Sequence, residues 1–257
     1  MNEVLERRFA AMGARLSLPE RPWRGAPRID VARGGFDIRF VGSGSEVDVE
    51  VVDVRPRERH LLLLVRDGDE KSKFLCGHDE RHWFVAAIPE SARGVTGVTT
   101  AKIALQPETV QELIARVNPK DQFRRRNEVY VRQGEWFFVP ANLRPEPTRA
   151  QTLQNEPLLR GAGSKAHVMQ FAFRRGGRVV HANWRHQTGI SEVEFERLSP
   201  EERKNGRWTR FVRDPEVYAK GSVRHPDHAT IHLATWHRVL MNTEQAARAM
   251  RHVAFLD

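Results

Sequence analysis

Seven of the eleven histidines of this chain lie between His167 and His237, and imidazole is the side chain best placed for proton transfer or metal ligation near neutral pH. The densest stretch is Val223-Arg224-His225-Pro226-Asp227-His228-Ala229-Thr230-Ile231-His232. Its Pro-Asp pair predicts a turn, so that His225 and His228 flank it and face one side. Beyond the turn, a regular strand would put His228, Thr230 and His232 on one face.

Two chemistries fit this pattern. In the first, His225 and His228 join His167 in a three-histidine zinc-type site with one position left for water, and Asp227 orients an imidazole from outside the ligand set. In the second, no cofactor is needed. One imidazole takes the 2′-hydroxyl proton of RNA and another protonates the leaving oxygen, giving a 2′,3′-cyclic phosphate, while a nearby cation stabilises the charge building on phosphorus. Lys165, two residues from His167 and on its face of an extended strand, supplies that cation. Arg224 beside His225 and Arg238 beside His237 add to it. The plain alternative is that these histidines are packed strand residues bonded to carbonyls, which is the expectation for His60, His181, His186 and His252. The chain has no CxxC pair, HExxH helix, GxxxxGK[ST] loop or GxGxxG helix start, which disfavours zinc fingers, zincins and nucleotide-dependent enzymes.

Charge points to the class of partner. Lys and Arg number 42 against 33 acidic residues, a formal net charge of +9, and such a surface favours polyanions, nucleic acid above all. Candidate phosphate and base contacts are the run Arg124-Arg125-Arg126, the aromatic Trp184 with its neighbour Arg185, and Arg224 and Arg238. A lone cysteine, Cys76, excludes an intramolecular disulfide and reads as a small packed residue. The N-terminus lacks a signal-like apolar run, and the longest apolar run, Leu61 to Val65, is far too short for a membrane helix. These features predict a cytoplasmic protein without a membrane anchor.

The elements that must position the histidines follow from periodicity. An amphipathic helix is predicted over Glu3 to Leu16 and a Pro-rich connector over 18–35. Strands follow at Phe36 to Phe40 and Val47 to Val51 with a hairpin turn at Gly42-Ser43-Gly44, then at Leu61 to Val65 and His82 to Ile88, and a helical stretch at Thr100 to Val117 with Pro107 near the start of the helix proper. The His78-Asp79-Glu80-Arg81-His82 segment reads as a polar hairpin. Punctuation at Asn118-Pro119 and the arginine run mark a boundary, dividing an N-terminal α+β domain (1–118, with a basic arm) from a His-rich, mainly antiparallel β domain (128–257). The second domain is read as strands around Val129, Trp136, His167, Arg178, Trp208, Val217, Thr230 and Trp236, closed by a C-terminal helix from Asn242 or Thr243. The fold class is α+β.

Arg132-Gln133-Gly134-Glu135, Gly163-Ser164-Lys165-Ala166-His167 and His225-Pro226-Asp227-His228 give the C-terminal half a resemblance. It resembles a group of small bacterial proteins built on the pattern RQGD, then GHAH, then HPEH. The resemblance covers about half the chain and implies no activity, but it groups His167 with His225 and His228. Lys165 stands where that pattern has a histidine, and a protonated amine binds phosphate better than it ligates metal. The leading expectation is therefore a metal-independent endoribonuclease using His167, His225, His228 and Lys165, without a cofactor. The alternatives are a non-catalytic nucleic-acid-binding or assembly subunit of a bacterial RNA-processing or defence system, with a protein partner, and a zinc-dependent hydrolase with His167, His225 and His228 as ligands.

Overall fold

The computed structural model describes residues 2–160, 164–248, 250 and 253–254, the last two as backbone. The fold is α+β and mostly antiparallel sheet. Helix α1 (Asn2–Ala11) buries Leu5 and Phe9 and leads into the short β1 (Arg15–Ser17), which runs parallel to β3. Strands β2 (Arg24–Ala32), β3 (Gly35–Arg55), β4 (His60–Asp67), β5 (Glu70–Asp79) and β6 (His82–Ala87) then form an antiparallel meander. One face buries Phe36, Ile38, Leu61, Leu63, Phe74 and Trp83 beneath α1. On the other face, Leu62, Leu75 and Ala86 pack on α2 (Val98–Ala104). Leu61 to Val65 is the apolar run expected, and its alternate residues serve the two faces. Cys76 is fully buried, and burial pushes its thiol pKa up.

The turn expected at Gly42-Ser43-Gly44 is absent. β3 runs straight through these glycines, pairing with β2 along its first half and with β4 along its second. The glycines have other tasks: Gly42 takes a φ of +91°, and Gly44 lies against Gly25, whose own φ is +87° and where a Cβ would stand 2.5 Å from the Val41 carbonyl. The helical stretch near Pro107 is two short helices, α2 and α3 (Glu108–Ile114), since proline interrupts the ladder between them.

The second sheet has the order β7-β8-β15-β14-β10-β9, made of β7 (Val131–Gln133), β8 (Trp136–Pro140), β9 (Leu153–Leu158), β10 (His167–Arg175), β14 (Glu216–Arg224) and β15 (Ile231–Met241). β15 is continuous where two strands were expected. Trp136, Phe138, Met169, Ala219 and Leu233 fill one face, and Leu143, Tyr218 and Trp236 the other. Between β10 and β14 the chain makes a small excursion with its own sheet, β12-β11-β13, from β11 (Arg178–Ala182), β12 (Ile190–Ser191) and β13 (Thr209–Arg213). Helices α4 (Glu192–Glu196) and α5 (Pro200–Asn205) lie in the same excursion.

Packing crosses the expected 118–127 boundary in both directions. Val110, Ile114 and Val117 of the α3 region cluster with Tyr130, Phe137 and Val139 of the second half. Ala247 and Met250 pack into the first core, and β16 (Val253–Ala254) runs parallel to β2. Among the described residues the expected C-terminal helix is replaced by the 3-10 turn Thr243–Ala246, with 3-10 residues again at 248 and 250, before that strand. The edge of the first sheet takes up the residues that local periodicity assigned to a helix. No helix among the described residues is long and apolar enough to cross a membrane.

Candidate functional site

Sheet register brings the histidines together. β10 and β14 are antiparallel with Val168 opposite Arg224, so the residue before the one, His167, meets the residue after the other, His225. The loop through Pro226 and Asp227 then folds His228 back toward the same point, and the three residues' candidate ligand atoms all lie within 4.8 Å of one another. The rings lie 4.1 Å (His167 to His225), 4.7 Å (His225 to His228) and 5.7 Å (His167 to His228) apart, centre to centre. The regular face proposed for His228, Thr230 and His232 does not form, because β15 begins only at Ile231 and His228 sits in the loop.

His167 is 1% exposed, and neither of its ring nitrogens has a hydrogen-bond partner among the described residues. Burial, with the neighbouring imidazoles adding to it, pushes its pKa down to about 3. His228 is lowered to about 4, chiefly by burial and then by His225. Both are therefore neutral at pH 7 and present lone pairs. His225 differs: the Asp227 backbone N–H donates to its Nδ1 at 3.1 Å.

The Arg132-Gln133-Gly134-Glu135 stretch forms the β7–β8 turn against this cluster, and each of its first three residues has a structural task. Gln133 is buried and donates from Nε2 to the Ala229 carbonyl at 2.7 Å, tying the histidine loop to the sheet. Gly134 has φ +58°, and a Cβ there would lie 3.0 Å from His228 Nε2 and 3.5 Å from His167 Nε2. Only glycine offers both the backbone conformation and the space. Arg132 reaches the first half of the molecule, 3.7 Å from Asp79.

The first half contributes through the β5–β6 hairpin. Arg125 pairs with both Asp79 and Glu80. Glu80 Oε2 accepts from Ala229 N at 3.3 Å and lies 3.8 Å from His228 Nδ1. Lys165 Nζ pairs with Asp227 at 3.0 Å, and His82 lies 4.0 Å from the same carboxylate. Burial alone would raise the Asp227 pKa, but Lys165, with His225 and His82 adding to it, holds the pKa below the usual carboxylate value. A cavity of about 580 Å³ opens beside the cluster between the two halves, lined by His225, His228, Glu135, Trp83, Tyr130 and the buried Glu244 among others. Glu244 pairs with Arg160 at 3.0 Å, and burial raises its pKa to about 7.

No family model, curated protein or solved structure matches this chain. The reading of the site therefore rests on its own geometry.

Of the other candidate residues Arg125 borders the site, and the rest lie apart from the three histidines. Arg125 is engaged in the ion pairs just described. Arg124 pairs with Asp121 at 2.9 Å, Arg126 donates to the His232 carbonyl at 3.2 Å, Arg224 donates to Asn155 at 3.1 Å and Arg238 pairs with Glu216 at 3.2 Å. Trp184 is 70% exposed, with the Arg185 guanidinium 4.6 Å from its ring centre. Sequence reasoning missed Gln133, Gly134 and Glu80 as site residues. The RQG signal was visible but carried no stated role, and Glu80 was read only as part of a polar hairpin.

Proposed function

We propose that this protein is a metal-dependent hydrolase whose ion is held by His167, His225 and His228. The observation that carries the reading is the buried His167, with both nitrogens unpartnered, facing two further imidazoles. Leaving a buried polar group unpaired costs about 1–3 kcal/mol, and an ion would supply the partner that both nitrogens of His167 lack. Three imidazoles on one tetrahedral zinc, at about 2.0 Å per nitrogen, would hold their ring centres about 5 Å apart. The observed 4.1, 4.7 and 5.7 Å bracket that distance. Three imidazole ligands would leave a fourth position for water, whose pKa a bound zinc lowers toward neutrality, and His225 would join them by giving up the Asp227 N–H contact at its Nδ1. With pKa values pushed down to about 3 and 4, His167 and His228 are not imidazolium acids at pH 7, so an acid–base site would have to use them as bases.

A second reading, metal-free phosphodiester cleavage, is favoured by one observation. The N–H of Asp227 at His225 Nδ1 places that ring's proton on Nε2, which would donate a hydrogen bond to a phosphoryl oxygen while a neutral His167 or His228 acts as the base. For either chemistry the +9 charge supports a polyanionic substrate, RNA first, with Trp184 and Arg185 as a stacking and phosphate contact. The deciding experiment is metal analysis of the purified protein with cleavage of labelled RNA, with and without EDTA. One equivalent of zinc and chelator-sensitive cleavage is the expected result. Cleavage by metal-free protein would replace it with the acid–base reading, and no cleavage in any lane would remove RNA as the substrate.

A further inference from the structure

We infer that Glu80, carried by the N-terminal half, is a positioning residue that holds the ring proton of His228 on Nδ1 and so turns a bare Nε2 toward His167. Its purpose rests on the metal reading above, but its first test does not.

The geometry is two-sided. One edge of the His228 ring faces Gly134, where a Cβ would lie 3.0 Å from Nε2 and 3.5 Å from His167 Nε2. On the other edge Nδ1 is buried without a hydrogen-bond partner among the described residues, and the nearest carboxylate oxygen is Glu80 Oε2 at 3.8 Å. A neutral imidazole has one N–H and one lone pair, and a carboxylate accepts only from the N–H. The lone pair is thereby left on Nε2. Bonding requires the ring and carboxylate to close from 3.8 Å to hydrogen-bonding length, about 2.9 Å. Without such an acceptor, a neutral histidine favours the opposite tautomer, with the proton on Nε2.

Glu80 is itself held. Its Oε2 accepts from the backbone N–H of Ala229, the residue after His228. Its other oxygen pairs with Arg125, which also grips Asp79, and Arg132 stands 3.7 Å from Asp79. The carboxylate thus cannot swing away from the ring without breaking the Arg125 pair. Carboxylate–histidine–metal triads use this arrangement to fix the ligand tautomer and raise its basicity. Here the carboxylate and the imidazole come from opposite halves of the molecule, so neither half alone contains the completed site.

The test begins with the whole, EDTA-treated protein labelled with ¹⁵N-histidine. Two-bond ¹⁵N–¹H correlation distinguishes the tautomers, and the signal lost in His228→Ala assigns the ring. The expected result is Nδ1–H in the wild type, conversion to Nε2–H in Glu80→Ala and retention of Nδ1–H in Glu80→Gln, which keeps an acceptor oxygen. A wild-type His228 protonated on Nε2 overturns the inference, which also covers the case in which Glu80→Ala does not fold; so does an unchanged tautomer in a folded Glu80→Ala. Zinc competition titration then reads the consequence, a loss of affinity of about 10- to 100-fold in Glu80→Ala, with partial rescue in Glu80→Gln. Zinc bound equally by wild type and Glu80→Ala would overturn the inference alone. A wild type with the expected tautomer that takes no zinc would overturn the metal reading and leave the Glu80 assignment standing.

Discussion

The histidines beside the cavity and those of the small excursion sheet are the same side chain under opposite local conditions. His181 is as buried as a core residue, but its Nε2 meets the Glu192 carboxylate at 3.1 Å and its ring stacks on Phe195 at 3.8 Å. His186 stacks on Trp208 at 5.5 Å. His167 is buried at least as deeply, and the rings against it are Trp136, His225 and His228, none of which partners its nitrogens among the described residues. The comparison teaches that burial alone does not single out a functional histidine. What separates the two regions is whether the folded chain already supplies each nitrogen with its partner.

Four changes would break or sharpen that contrast. The largest effect is expected from His225→Ala/His228→Ala, which should weaken zinc binding by more than about a hundredfold, since two of three ligands go; isothermal titration measures it. Next, His167→Phe should abolish stoichiometric zinc yet stabilise the metal-free protein by about 1–3 kcal/mol, because it removes polar atoms that are buried without partners. Thermal unfolding in EDTA would read the gain, and a loss of stability there would mean the cluster satisfies itself without an ion. The same variant sharpens the pH dependence. His167 and His228 titrate at about 3 and 4 when folded, against about 6.5 when unfolded, so below that value the unfolded chain binds more protons. Their contribution is fully present above about pH 6.5 and is lost as pH falls toward 4. Metal-free wild type should therefore melt lower at pH 5 than at pH 7.5, and His167→Phe should show a smaller drop.

Gly134→Ala should cost about 1–2 kcal/mol for the positive φ and weaken zinc roughly tenfold by crowding His228 Nε2, as chelator competition and denaturant unfolding would show. The smallest effect belongs to the excursion sheet. His181→Ala should leave zinc affinity within about twofold and cost about 1 kcal/mol, the worth of one hydrogen bond and its packing. A large loss of zinc there would erase the distinction drawn between the two regions.

Local patterns made much of this legible in the sequence. The strand at Leu61 to Val65 and those around Trp136, His167 and Val217 follow from nearest-neighbour rules. So does the turn at Pro226-Asp227 that sets His225 near His228. His167 was grouped with them by pattern, but its actual meeting with His225 depends on the Val168 to Arg224 register, which no local spacing encodes. The glycines at 42 and 44 were misread because a turn, a positive φ within a strand and a close backbone approach all favour the same residue. Glu80 and Arg125 escaped for a related reason: their pairing joins elements distant in sequence, and a charged residue in a turn carries no mark of the partner it will find.

The placement of β16 bears on how this chain is made. The edge of the first sheet at β2 gains its parallel neighbour, and the first core gains Ala247 and Met250, only after every residue of the second sheet has been synthesised. During translation the early sheet emerges with that edge unprotected and its core short of those side chains. The ribosome therefore releases a chain whose first-made layer is finished last, and a nascent polypeptide stalled before residue 247 should be the form most exposed to proteases and most dependent on chaperones.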